Sequence, residues 1–120
     1  MNYLIHFLRL FFPKNCEACG ENLLIKEEFL CTQCLYDLPR TKLHKKKDNT
    51  INRLFYGITE IQYASALYYF KKGSKFRILI HKVKYKKQKE LGVELGRMLG
   101  RELQSSFFDE IDMIIPVPLH

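Results

Sequence analysis

Four cysteines constrain this chain more than any other feature. Cys16 and Cys19 form one Cys-x-x-Cys pair, Cys31 and Cys34 form a second, and the 120 residues contain no other cysteine. A two-residue gap lets both thiolates of a pair turn back onto one ion, so two such pairs complete a tetrahedral site. Gly20 follows Cys19 directly. In the resulting knuckle, glycine lets the backbone double back with its amides facing the sulfurs. The spacer of 11 residues between the pairs is shorter than in many zinc ribbons and leaves room for one short hairpin. Cys16, Cys19, Cys31 and Cys34 are therefore the expected ligands of a structural Zn2+, with redox chemistry and free thiols as alternatives.

Those alternatives need a context that the sequence does not supply. Disulfides need an oxidising compartment, and a thioredoxin-like pair needs a βαβ unit around it. The apolar stretch from Tyr3 to Phe12 is interrupted by His6 and Arg9, and Pro13, Lys14 and Asn15 come after it instead of a small-residue cleavage site. It does not read as an export signal, and it is too short to span a bilayer. A cytoplasmic protein is expected.

The net charge of +7 favours phosphate-rich partners. The excess is concentrated in Lys45, Lys46 and Lys47 and in an acid-free stretch from Lys71 to Lys89. A solvated helical face accounts for such a stretch. A nucleic-acid contact through Lys82, Lys84, Lys86 and Lys87, with Tyr68, Tyr69, Phe76 and Tyr85 nearby for stacking, is the functional counterpart.

Along the chain, residues 3 to 12 read as a short aromatic-rich helix that covers the knuckle or packs on the adjoining domain. Residues 1–38 make the helix and the four-cysteine module, 39–62 a basic linker, and 63–120 the start of a second domain. Tyr63 to Phe70 has partial alternation and reads as a strand. Ser74 caps a helix whose Phe76, Leu79, Ile80 and Val83 match the i, i+3, i+4, i+7 pattern. A second helix runs from about Gln88 to Ser105, with Gly92, Gly96 and Gly100 in line. Glycine costs about 1 kcal/mol relative to alanine inside a helix, so the trio is expected to serve close backbone packing. Ile111 to Ile115 reads as a buried strand ended by Pro116 and Pro118, which cannot donate to a ladder. Strand ends of this kind bind ligands in α/β sheets.

The order of these motifs is Cys-x-x-Cys-Gly, Cys-x-x-Cys, a strand, Leu79 to Tyr85 (LIHKVKY), Glu90 to Gly96 (ELGVELG) and Ile111 to His120 (IDMIIPVPLH). In that order, over essentially the whole chain, the sequence resembles the ComF family of competence-related, phosphoribosyltransferase-like proteins. The resemblance implies an α/β fold: a zinc ribbon followed by the first elements of a type I phosphoribosyltransferase-like parallel sheet, incomplete in this chain. It implies an association with uptake of transforming DNA. It also assigns Pro116, Val117, Pro118, Leu119 and His120 to the beginning of a pyrophosphate-binding loop. The strand with two adjacent acids, which in such proteins meets phosphoribosyl pyrophosphate and Mg2+, has no counterpart here. Asp109 and Glu110 precede the expected strand and Asp112 lies at its start, not its end, so this acidic cluster does not take that role. Whether the chain is an enzyme is thus left open, and it is expected to be inactive alone. The alternative is a non-enzymatic zinc module that binds single-stranded DNA or a protein of the DNA-uptake machinery.

With four cysteines available, zinc needs none of His6, His44, His81 or His120. His81 shares adjoining helix turns with Lys84 and Tyr85, where a packing or surface role is expected.

Overall fold

A computed structural model describes residues 3–118 and is mostly helical. The helices are α1 (Tyr3–Phe11), α2 (Thr32–Asp37), α3 (Thr50–Leu54), α4 (Lys75–Tyr85) and α5 (Lys89–Leu103), with a 3₁₀ turn at Leu43–Lys45. The chain divides into two units. One combines Met1–Arg40 with Tyr68–Leu95, and the other combines Thr41–Leu67 with Gly96–His120. Among the described residues no helix is long and apolar enough to cross a membrane.

In the first unit, α4 begins as its sequence dictates. Ser74 is extended and its side chain accepts from the Arg77 amide, which satisfies one of the free donors of the first turn. Leu79 of α4 and Leu91 of α5 are essentially removed from solvent, and the Tyr68 and Phe76 rings meet at 4.9 Å. Gly92 permits close approach of the two helices: a Cβ built there would lie 3.2 Å from Val83 Cγ1. Gly96 and Gly100 would meet no atom of the described residues within 4 Å, so the expected packing role falls on Gly92 alone.

Helix α1 forms where the sequence places it, but none of its residues is buried. Its tie to the knuckle is a hydrogen bond of 2.8 Å donated by Arg9 Nη1 to the Ile25 carbonyl. Its apolar stripe does not cover the knuckle as expected.

The second unit is organised by two buried asparagines. Asn49 caps α3 by accepting from the Ile51 and Asn52 amides, while its Nδ2 donates to the carbonyls of Leu43, Lys46 and Ala64. Asn52 donates to the Gln62 carbonyl at 3.2 Å. The Asn49 amide group and the Asn52 Nδ2 thus find partners in irregular backbone that lacks a ladder of its own, whereas the buried Asn52 Oδ1 accepts no hydrogen bond among the described residues. Tyr63 stacks on Phe107 at 5.4 Å, and Lys47 Nζ lies over the Phe107 ring, 4.9 Å from its centroid. Residues 39–62, expected as a linker, therefore carry a 3₁₀ turn, a helix and a polar core.

The expected parallel sheet is not formed among the described residues; the pairing found is two isolated antiparallel bridges, Asn15 with Asn22 and Arg40 with Tyr68. Tyr63 to Phe70 pairs around that second bridge, where the Tyr69 amide donates to the Pro39 carbonyl and the Thr41 amide to that of Leu67. The ladder cannot grow, because Pro39 has no N–H and Lys42 turns into the left-handed region at φ 53°. Ile111 to Ile115 makes no ladder either. Its Ile111, Met113, Ile114 and Ile115 side chains are 56–83% exposed. A parallel strand needs neighbours to take its amides and apolar faces, and no described segment fills that place.

Candidate metal centre

Local backbone rules explain how each cysteine pair is presented. The Asn15–Asn22 bridge closes a tight loop, reinforced by the Cys16 amide donating to Glu21 O at 2.7 Å and the Gly20 amide to Cys16 O at 2.9 Å. Gly20 turns the chain at φ +80°, where any Cβ would be strained even though the space is open. The second pair uses a helix start. Cys31 is the extended N-cap of α2, and its Sγ accepts from the Cys34 amide at 3.4 Å. One thiol thereby caps the helix while the other lies three residues on, facing the same point. The Cys31 amide reaches across to Cys16 Sγ at 3.3 Å and joins the two pairs.

All four Sγ atoms lie within 4.8 Å of one another, and Cys19 and Cys31 approach to 3.7 Å. A tetrahedron with metal–sulfur bonds of about 2.3 Å has sulfur–sulfur edges of about 3.8 Å, so this spacing suits a four-thiolate metal site. It does not suit a disulfide, whose sulfurs are about 2.05 Å apart; all four thiols are free. Cys16 and Cys34 are buried and Cys19 is exposed, so the cluster has one open side through which an ion can enter.

Electrostatics point the same way. Burial opposes ionisation of Cys16, but the amides of Cys31, Cys19 and Ala18 and the Cys19 thiol outweigh it and lower its pKa to about 6. Burial then pushes the Cys34 thiol well up, helped by the thiols of Cys19, Cys31 and Cys16 and by the charge on Cys16. The Cys34 amide favours the Cys31 thiolate, yet burial and the neighbouring thiols prevail and raise it. One negative charge is thus tolerated and further ones are resisted. A cation among the sulfurs removes that resistance and lets all four ionise. The four cysteines can hold a metal ion.

Three supporting contacts were not legible in the sequence. Glu27 spans the spacer: its carboxylate accepts from the Leu24 amide at 2.8 Å and from both the amide and hydroxyl of Thr32 at 2.7 Å. Those bonds, the Leu24 amide first, hold its pKa below the usual carboxylate range. Lys82 of α4 donates to Glu17 O at 2.7 Å and to Glu17 Oε2 at 2.8 Å, inside the first cysteine pair. Lys75 of α4 donates to Asp37 Oδ2 at 3.1 Å, at the end of α2. No local motif marks them: Glu27 lies four residues before the Cys31 cap, outside the first turn of α2, and the lysine partners lie far away in sequence.

Lys84, Lys86 and Lys87 are exposed, as is Tyr85, whereas Lys82 is committed to Glu17. Lys87 also lines a cleft of about 450 Å³ beside Glu17 and Phe29. His81 contacts Tyr85 ring to ring at 4.9 Å, and His44 Nδ1 lies 3.5 Å from Glu102 Oε2. Neither histidine is among the grouped metal-ligand atoms. Pro116, Val117 and Pro118 are exposed and line no described site; Leu119 and His120 fall outside the described residues. Compared with family models, curated proteins and solved structures, the chain matches none of them.

Proposed function

We propose that Cys16, Cys19, Cys31 and Cys34 hold one structural Zn2+ and that this centre organises a basic module in a ComF-like protein. The observation that carries the reading is the close set of four sulfurs, reached by backbone amides from within the cluster. A tetrathiolate set suits zinc or iron. With four protein ligands no position is left open for a substrate, so the ion's work is to fix the fold. A knuckle of this size cannot bury enough apolar surface to order itself, and metal binding supplies that free energy. Chelation should unfold the knuckle and zinc should restore it; a knuckle that keeps its fold without metal would refute the structural role.

The resemblance carries the rest of this reading. Ile111 to Ile115, apolar, exposed and followed by Pro116 and Pro118, has the character of a parallel phosphoribosyltransferase-like strand awaiting neighbours. On this reading phosphoribosyl pyrophosphate and Mg2+ would be met by a strand that ends in two adjacent acids; Asp109 and Glu110 come before Ile111 to Ile115 and are not given that role, so no binding is expected of these residues alone. Calorimetric titration with that ligand and Mg2+ should show no heat of binding. Clear micromolar binding would overturn the view that the site is incomplete.

A second reading draws on the exposed edge at the end of α4. Lys84, Lys86 and Lys87 face solvent beside Tyr85, which is 71% exposed, a pairing of cations and an aromatic face that suits single-stranded DNA. Oligonucleotide binding should weaken steeply with salt, and neutralising these three lysines should flatten the slope. Binding insensitive to both would exclude this contact.

A further inference from the structure

Helix α4 is tied to both halves of the metal centre. Lys82 grips the peptide between Cys16 and Cys19 through two bonds to Glu17, one to the backbone carbonyl and one to the carboxylate. Lys75 pairs with Asp37, the last residue of the helix that carries Cys34. Lys75, Leu79 and Lys82 stand at i, i+4 and i+7, so they share one stripe of α4 over two turns. Leu79, between the two cations, has no exposed surface. The side of α4 that bears its fully buried residue is thus also the side that holds the cysteine-bearing segments.

We propose that α4 is a metal-coupled helix: occupancy of the cysteine site, transmitted through Lys82 and Lys75, sets whether α4 and its basic end are ordered. This rests on the reading of the four cysteines as a metal site. An isolated helix of 11 residues is marginal in water, so α4 depends on its tertiary contacts. Without metal the knuckle loses the energy that orders it, and the acceptors Glu17 O, Glu17 Oε2 and Asp37 Oδ2 are no longer held in place for the two lysines. Reciprocity comes from linkage: whatever metal contributes to α4, α4 contributes to metal affinity. Lys82 is therefore a positioning residue for the metal site, and the order of Lys84, Lys86 and Lys87 depends on the metal.

The test combines amide hydrogen exchange with a colorimetric zinc indicator on the full chain. Chelation should release zinc and raise exchange across residues 75–85 by at least about tenfold, the scale of 1.4 kcal/mol. Lys82→Met should weaken zinc binding by about tenfold, Lys82→Arg should recover part of that loss, and Lys84→Met, with the same charge change, should have no effect. Two results would overturn the coupling while leaving the metal site intact: zinc release with unchanged exchange in α4, or Lys82→Met and Lys75→Met both binding zinc as the parent does. A purified chain that yields no zinc and takes up none would overturn the metal reading itself, and the coupling with it.

Discussion

Alanine substitution at the three glycines of α5 separates helix propensity from helix packing. Gly92, Gly96 and Gly100 have the same spacing and nearly the same face, so sequence alone treats them alike. Replacing glycine by alanine inside a helix stabilises it by about 1 kcal/mol, because the unfolded chain loses freedom and the helix gains a better former. At Gly96 the new methyl meets nothing within 4 Å among the described residues, so the full gain of about 1 kcal/mol is expected. Gly100 also meets nothing but lies in the last turn of α5, where fraying reduces the gain to about half of that. At Gly92 the methyl would sit 3.2 Å from Val83 Cγ1 and 3.8 Å from Cγ2. Val83 is β-branched and stiff at χ1, so relief requires α4 to move, at an overpacking cost of about 1–3 kcal/mol. The net for Gly92→Ala is therefore about 0–2 kcal/mol of destabilisation.

Urea unfolding followed by far-ultraviolet circular dichroism, with protein and zinc concentrations held constant, reads these differences directly. With an m-value of about 1–3 kcal/mol/M, Gly96→Ala should raise the midpoint by about 0.3–1 M without changing the slope. Gly92→Ala should leave it unchanged or lower it. If Gly92→Ala stabilises as much as Gly96→Ala, the close approach of α5 to Val83 is refuted. If Gly96→Ala destabilises instead, a close neighbour covers that face and the packing described for α5 fails there.

Further tests address the metal site and the polar core. Cys34→Ser, at a buried ligand, should abolish tight zinc retention in competition with a chelating indicator; retention at the parental affinity would show that four thiolates are not needed. Asn49→Ala leaves three carbonyls without their donor and two amides without their acceptor, so a loss of about 2–4 kcal/mol is expected in the same urea assay. Glu27 has a depressed folded pKa, so its contribution is present above the usual carboxylate range and is lost as pH falls through that folded value. Knuckle stability, measured by exchange of the Leu24 and Thr32 amides, should decline on acidification in the parent and much less in Glu27→Gln; identical pH profiles would argue against this role.

What the sequence could reveal was governed by how local each interaction is. The Cys-x-x-Cys spacing, Gly20, the Ser74 cap and the apolar stripe of α4 act within a few residues, and all are present as read. Strand formation is not local. Tyr63 to Phe70 carries strand-like residues, yet its growth is decided by Pro39 and Lys42, which sit in the opposing segment. The same limit hid the role of Lys82. A lysine in a basic helix looks alike whether it meets solvent, a phosphate or a carbonyl, and Glu17 lies 65 residues away. The glycine trio shows the converse: a regular pattern suggested one shared purpose, and only Gly92 has a close neighbour among the described residues. Asn49 lies in the stretch expected as a basic linker, and its burial becomes visible only when three carbonyls converge on its amide.

The most direct measurement is the metal content of the native chain, purified without added metal and analysed element by element alongside a thiol titration. One zinc per chain, with the four cysteines unreactive until a chelator removes it, is the expected result. A chain that carries no metal and presents four freely reactive thiols, or one that holds iron in zinc's place, would contradict the structural zinc centre on which the proposed function rests.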